Sequence, residues 1–330
     1  MQYRKLGRTG LWVSAVCMGT MTFGNQASEA DSVDIVRRAL DAGVNFFDTA
    51  DMYAEGRSEE IVGKALKNDR HAVVLATKVG QRVAPGHNGL GLSRRHIVES
   101  IEGSLRRLGT DYIDLYYAHL ADPDTPLDET LRAFDDLVRQ GKVRYIACSN
   151  FRAWLLCKAL WESDKRGLAR FDCVQPPYNL LTRDIEYELL PLCASEGVGV
   201  CAYNPLAGGL LSGKHDPSKP PAAGTRFTLE RTGQLYYDRY WTPANFEAVA
   251  SLAGIARQRG RSLAQMSLAW ILGNPAITSV IYGASSLEQF EENLGATEIT
   301  LSPEELAACD EVWQRLRPLR FFYGTQQVKR

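Results

Sequence analysis

From residue 16 to the end of the chain, short apolar runs alternate with longer amphipathic stretches. Eight apolar runs stand out, at residues 16–18, 45–48, 72–77, 113–117, 145–149, 173–175, 199–203 and 279–282. They are apolar at consecutive positions instead of at every second one, as strands buried on both faces require. Between them the apolar residues recur at helical spacing, and helix punctuation follows. Residues 31–42 are closed by Gly43, 93–108 by Gly109 and 128–140 by Gly141, while Ser93 is placed to cap a first turn and Pro126 to begin one. Eight strand-then-helix units with no flexible linker between halves predict an α/β chain of one domain spanning residues 1–330, closed as a (β/α)8 TIM barrel. Ahead of the repeat, residues 3–16 read as an N-terminal β-hairpin turning at Gly7-Arg8-Thr9-Gly10.

An open, doubly wound sheet is the competing arrangement, and it has its own fingerprint. The one G-x-G-x-x-A match, Gly197, Gly199 and Ala202, precedes a strand and is followed by Pro205, whereas a dinucleotide turn must follow a strand and open a helix. Two segments break the barrel rhythm. Residues 204–242 are too long for an ordinary connection and read as a lid or binding loop over the C-terminal mouth. Residues 317–330 follow a last predicted helix at 302–314 and carry Phe321, Phe322 and Tyr323. Substrate selection is expected in such loops: residues 23–26, the neighbourhood of Trp12 if the hairpin exposes it, 120–126, 229–241 and the tail around Phe321.

Composition narrows the class of partner. The 330 residues carry 38 Lys and Arg against 39 Asp and Glu, so no overall field draws nucleic acid or an anionic membrane, and a small, locally recognised ligand is the expectation. With 45% apolar residues the chain can bury a large core. The seven cysteines show no C-x-x-C pair, no run of signal-peptide or membrane-span length occurs, and a cytoplasmic protein is expected. Nothing in the sequence speaks to oligomeric state.

In a barrel of this kind the reactive groups stand at the C-terminal ends of strands. Asp48 ends the second run, Lys78 the third, the fourth leads to His119, and Tyr53 lies on the loop after Asp48. Alone, each is a cap, a solvated charge or a packing residue. Together they suggest a device. A phenol with an ordinary pKa of about 10 is made more acidic by a neighbouring ammonium, and a carboxylate keeps that ammonium charged. Tyr53 is then expected to protonate a carbonyl oxygen that His119 orients, while hydride arrives on carbon. A metal site at His119, Asp122 and Asp124 lacks a second histidine at ligand spacing, and a serine hydrolase lacks its G-x-S-x-G elbow.

These residues sit in segments that resemble the aldo-keto reductases over nearly the whole chain. The resemblance is particularly to bacterial members of the branch that also includes the β subunits of voltage-gated potassium channels. The signatures are MQYRKLGRTGLWVSAVCMGTMTFG, GVNFFDTADMYAEGRSEEIVGKAL, ATKVG, DYIDLYYAHLADPDTPLDET, GKVRYIACSN, VQPPYNLL, AYNPLAGGLLSGK and GASSLEQFEENLGA. The resemblance implies a catalytic tetrad of Asp48, Tyr53, Lys78 and His119, and NADPH as cofactor. Ser149, Asn150 and Gln175 would hold the nicotinamide carboxamide, and Tyr203 would stack on its ring. It sets Gly19, Thr20 and Met21 beside the ribose, and Asn204, Pro205, Leu206, Ala207 and Gly208 at the pyrophosphate. Lys214 and Arg226 are set near the adenosine phosphates. Gly283, Ser285, Gln289, Glu292 and Asn293 are set around the adenosine, with Glu292 and Asn293 at the start of the eighth helix. Asn204 stands where many relatives have Ser, and residues 283–286 offer no cation for a 2′-phosphate, leaving Lys214, Arg226 and Ser285 to take it. The implied activity is reduction of a small-molecule aldehyde or ketone. The alternative is a cofactor-sensing regulatory subunit, in which Asn typically replaces the residue matching His119.

Overall fold

The computed structural model describes residues 1–230 and 232–317. The expected contribution of Phe321, Phe322 and Tyr323 lies outside the described residues. Eight parallel strands close into a barrel, as the apolar runs predicted. They are β3 (Val16–Gly19), β4 (Phe46–Asp48), β5 (Val74–Val79), β6 (Ile113–Ala118), β7 (Val143–Ser149), β8 (Phe171–Gln175), β9 (Gly199–Ala202) and β10 (Ser279–Tyr282), with β10 pairing back onto β3. Six helices alternate with the first strands: α1 (Glu29–Asp41), α2 (Arg57–Ala65), α3 (Arg94–Leu108), α4 (Leu127–Arg139), α5 (Ala153–Arg166) and α6 (Leu189–Glu196). Three helices, α7 (Gly233–Tyr240), α8 (Pro243–Gln258) and α9 (Leu263–Leu272), separate β9 from β10, and α10 (Leu287–Leu294) and α11 (Pro303–Leu316) follow. Among the described residues no helix is long and apolar enough to cross a membrane.

The core has two shells because the strands are buried on both faces. Outward residues such as Val16, Phe47, Leu75 and Tyr116 pack with the helices, while Cys17, Phe46, Ala76, Leu115, Tyr117 and Cys201 fill the barrel interior. The hairpin of β1 (Tyr3–Lys5) and β2 (Trp12–Ser14) stops the lower end with Leu6 and Val13. A Cβ on Gly7, whose φ is +53°, would lie 2.5 Å from the Gly197 carbonyl, so only glycine lets the hairpin seat there. Ser14 N donates to Asn45 Oδ1 at 2.7 Å, beside the first residue of β4. Trp12 is therefore exposed at the end where the strands begin, which removes its neighbourhood from the substrate loops proposed on sequence.

Three other expectations change. The segment at 204–242 is not open loop throughout: α7 forms in it, because Tyr236 and Tyr240 bury their rings on the loop that follows β9. β5 starts two residues later than its apolar run, since Arg70–Ala72 form a 3-10 turn, so Lys78 is a strand residue and not its end. Glu292 and Asn293 occupy the last turn of α10, not its start; Ser286 caps the start by accepting from Gln289 N. Gly197 caps α6 and Gly199 opens β9, so the glycine match precedes a strand as read.

Candidate active site

At the C-terminal ends of adjacent strands, the register sets Gly19 beside Asp48, Asp48 beside Ala76, and Lys78 beside Tyr117. Lys78 points inward from β5 and is fully buried. Its Nζ donates to Asp48 Oδ1 at 2.5 Å, to the Thr49 carbonyl at 2.7 Å and to Tyr53 Oη at 3.3 Å. Three acceptors for three N–H bonds leave the ammonium satisfied without water. The His119 ring meets Tyr53 edge-on, 5.9 Å between centroids, so all four predicted ionisable residues share one mouth.

The electrostatics differ from the sequence expectation in one sign. Asp48 and Tyr53 bracket Lys78 and, against the effect of burial, raise its pKa, so the ammonium persists. Burial pushes the Asp48 carboxyl up, opposed by Lys78 and by Gln175. Burial also lifts the Tyr53 phenol above its usual value, and the pull of Lys78 does not overcome it. The expectation of an acidified phenol is therefore corrected: the phenol is buried, Lys78 shares its charge with Asp48 at shorter range, and Tyr53 rests protonated. His119 is driven well below the imidazole range by burial and then by Lys78, so it is neutral. Its Nδ1 is buried with no hydrogen-bond partner among the described residues, which favours the tautomer carrying the proton on Nε2, since an orphaned buried N–H costs more than a bare lone pair.

Around this centre runs one polar network. Gln175 Nε2 donates to Asp48 Oδ2 at 2.9 Å, Ser149 Oγ donates to the Gln175 carbonyl at 2.9 Å, and Asn150 Nδ2 reaches the His119 carbonyl at 2.9 Å. Tyr203 Oη donates to Asn150 Oδ1 at 2.8 Å. Asn150 sits at φ +62°, a conformation asparagine tolerates better than most residues. Among the described residues Gln175 makes one hydrogen bond through its side chain, leaving an amide hydrogen and Oε1, a donor and an acceptor together.

The remaining predicted positions divide. Gly19 and Gly283 approach so closely that a Cβ on Gly283 would stand 3.0 Å from the Gly19 carbonyl. Thr20 is fully buried with its hydroxyl on the Asp48 carbonyl and Ser58, its N–H also on the Asp48 carbonyl and its own carbonyl accepting from Phe23 N and Ser58 Oγ, so it braces the loop after β3 against β4. Asn204, at φ +57°, accepts from Gly208 N at 2.7 Å and donates to Tyr240 at 2.7 Å, shaping the turn through Pro205, Leu206 and Ala207. Arg226 lies over the Tyr236 ring with Nη1 3.0 Å from Met21 Sδ, joining the loops after β9 and β3. Lys214 is exposed, and neither cation is paired with a carboxylate among the described residues. Ser285 and Gln289 bond to each other at 2.9 Å. Asp122, set aside on sequence as a metal ligand, takes Leu92 N and Thr125 Oγ1 at 2.7 Å and closes a loop.

Sequence reasoning missed the support beneath Tyr53. Its loop contains Ala54 and Glu55 at φ +46° and +59°, then Gly56 at +92°, a conformation that costs non-glycine residues about 1–2 kcal/mol each. Below it, buried Glu59 accepts from Thr77 Oγ1 and Arg107 Nε, both at 2.6 Å. Glu59 reads in sequence as an ordinary solvent-facing helix residue, and no local signal reveals its burial.

The chain matches known proteins over most of its length. The family profile described as "Aldo/keto reductase family" matches residues 15–314. The chain is 40% identical to an "Uncharacterized oxidoreductase YrpG" of Bacillus subtilis (strain 168), over 95% of this chain and 96% of that protein. It is 38% identical to a "Probable voltage-gated potassium channel subunit beta" of Arabidopsis thaliana, over 95% and 97%. It is 36% identical to an "L-glyceraldehyde 3-phosphate reductase" of Escherichia coli (strain K12), over 94% and 92%.

Proposed function

We propose, from the premise that this chain belongs to the aldo/keto reductase family of oxidoreductases, that it works as one catalytic domain reducing an aldehyde or ketone to an alcohol with NADPH, the proton coming from Tyr53. One observation carries the reading: a single buried ammonium, Lys78, touches both a carboxylate and a phenol at the mouth of the barrel. NADPH supplies hydride when bound. Tyr53, protonated at rest, donates its proton to the carbonyl oxygen, and the phenolate left behind faces an ammonium already in place, so no dipole has to reorganise. Asp48 keeps that ammonium charged and fixed. Neutral His119, its proton on Nε2, offers a hydrogen bond that orients the same oxygen.

The cofactor residues follow the same logic. Gln175, with Ser149 and Asn150, presents the donor and acceptor that suit the carboxamide, and Tyr203 offers a ring face for stacking. Gly19, Gly283 and Gly208 let backbone come close, while Lys214 and Arg226, which have no carboxylate partner among the described residues, suit the phosphates with Ser285 and favour NADPH over NADH. In this reading Thr20, Met21, Gln289, Glu292 and Asn293 border the ribose and adenosine. The channel-subunit relatives prompt a regulatory reading, but His119 is intact here, which supports turnover.

The test is a carbonyl panel with purified protein, including L-glyceraldehyde 3-phosphate because a relative is named for it, following oxidation of NADPH and NADH separately. Turnover of at least one carbonyl, faster with NADPH, is expected. Absence of turnover alongside tight NADPH binding would favour the regulatory reading.

A further inference from the structure

Asp51 lies two residues before Tyr53, is 3% exposed, and its carboxyl finds no side-chain hydrogen-bond partner among the described residues, the Met52 backbone N–H being the donor beside it. A buried carboxylate in that condition is costly, so the surroundings decide its state. It is faced by Glu59 of α2, Arg107 of α3, Lys78 of β5 and Tyr116 of β6. The Tyr116 hydroxyl is likewise buried without a partner. The Arg107 charge is already engaged by Glu59. Arg107 also lies under Gly56, where a Cβ would stand 2.8 Å from its Cδ, so the strained loop, the buried acids and the guanidinium form one assembly.

We propose that Asp51 is a positioning residue: with Glu59 and Arg107 it forms a latch that seats the loop carrying Tyr53, and ionisation of Asp51 releases the latch. The inference rests on the reading of Tyr53 as proton donor and adds pH control to it. Burial, then Glu59, hold the Asp51 carboxyl up at about 8, so the closed loop carries it as a neutral acid at neutral pH. Opening to water returns it to an ordinary value of about 3.9. The open form therefore binds fewer protons, and rising pH favours opening across the window from about 4 to about 8, levelling off above it.

The direct test is hydrogen exchange of backbone amides at residues 49–57, corrected for intrinsic rates. Between pH 6 and 8 the opening constant is expected to rise about fiftyfold in the native protein. In Asp51→Asn, which mimics the neutral acid, it should not change with pH. Catalysis gives the second readout: Asp51→Asn should keep near-native kcat at pH 7 and lose the alkaline fall in kcat, with KM for NADPH unmoved. Exchange in the native protein that is independent of pH overturns the latch even if Asp51→Asn fails to fold, and so does an unchanged alkaline limb in a folded variant. Neither result touches the role of Tyr53, which is judged by Tyr53→Phe.

Discussion

Replacing Lys78 by Met isolates the electrostatic centre of the site. Met fills much of the space but removes the one charge paired with Asp48 among the described residues, and Asp48 is 2% exposed and keeps a hydrogen bond from Gln175. Breaking a buried pair by removing one partner costs about 3–5 kcal/mol. Asp48 has an escape, because it can take up a proton in the folded variant. Protonation at pH 7 of a group whose unfolded pKa is about 3.9 sets a ceiling of about 4 kcal/mol, falling by about 1.4 kcal/mol for each unit the pH is lowered, to about 1.5 kcal/mol at pH 5. The sign is that of a raised carboxyl: the folded variant binds more protons than the unfolded chain, so it loses stability as pH rises from about 4. Urea unfolding followed by circular dichroism, native protein against Lys78→Met at pH 7 and at pH 5, measures both values. Adding Asp48→Asn should recover most of the loss at pH 7. A destabilisation that is equal at the two pH values, or below about 1 kcal/mol at both, refutes the claim that an unpaired Asp48 dominates the cost.

Two further outcomes are expected. His119 is neutral in the folded state, so its contribution declines as pH falls below about 6.5, where the unfolded chain takes up a proton that the folded one refuses. His119→Asn should remove that part of the acid decline in melting temperature between pH 6.5 and 5, and lower kcat at least about tenfold, less than the roughly hundredfold for removing a positioned donor outright because Asn keeps an amide N–H. Tyr203→Ala, which loses the ring face and the hydrogen bond to Asn150, should weaken NADPH binding about tenfold by fluorescence titration, equivalent to a stacking contribution of about 1.4 kcal/mol, with melting temperature little changed.

The barrel was legible because each strand had to be apolar on both faces, and residues such as Leu75 and Ala76 satisfy opposite shells from adjacent positions. Lys78 and Asp48 were legible for the complementary reason: ionisable residues in runs that are otherwise buried need partners. What escaped depends on contacts between distant segments. The α7 helix is made by Tyr236 settling on Gly208, and nothing within residues 233–240 announces it. Glu59 and Arg107 look like ordinary amphipathic-helix charges until α2 and α3 come together. The resting state of Tyr53 differs from the expectation because sequence shows that an ammonium is near, but neither the burial of the phenol nor how much of the ammonium's field Asp48 and the Thr49 carbonyl already take.

The role of Tyr53 as proton donor is tested most directly by Tyr53→Phe, assayed in single turnover on an aldehyde whose reduction limits the rate, beside NADPH titration of the same sample. The variant is expected to bind NADPH within about twofold of the native protein and to reduce the aldehyde at least about a hundredfold more slowly, as loss of a positioned proton donor requires. Native-like reduction by the phenylalanine variant would contradict it.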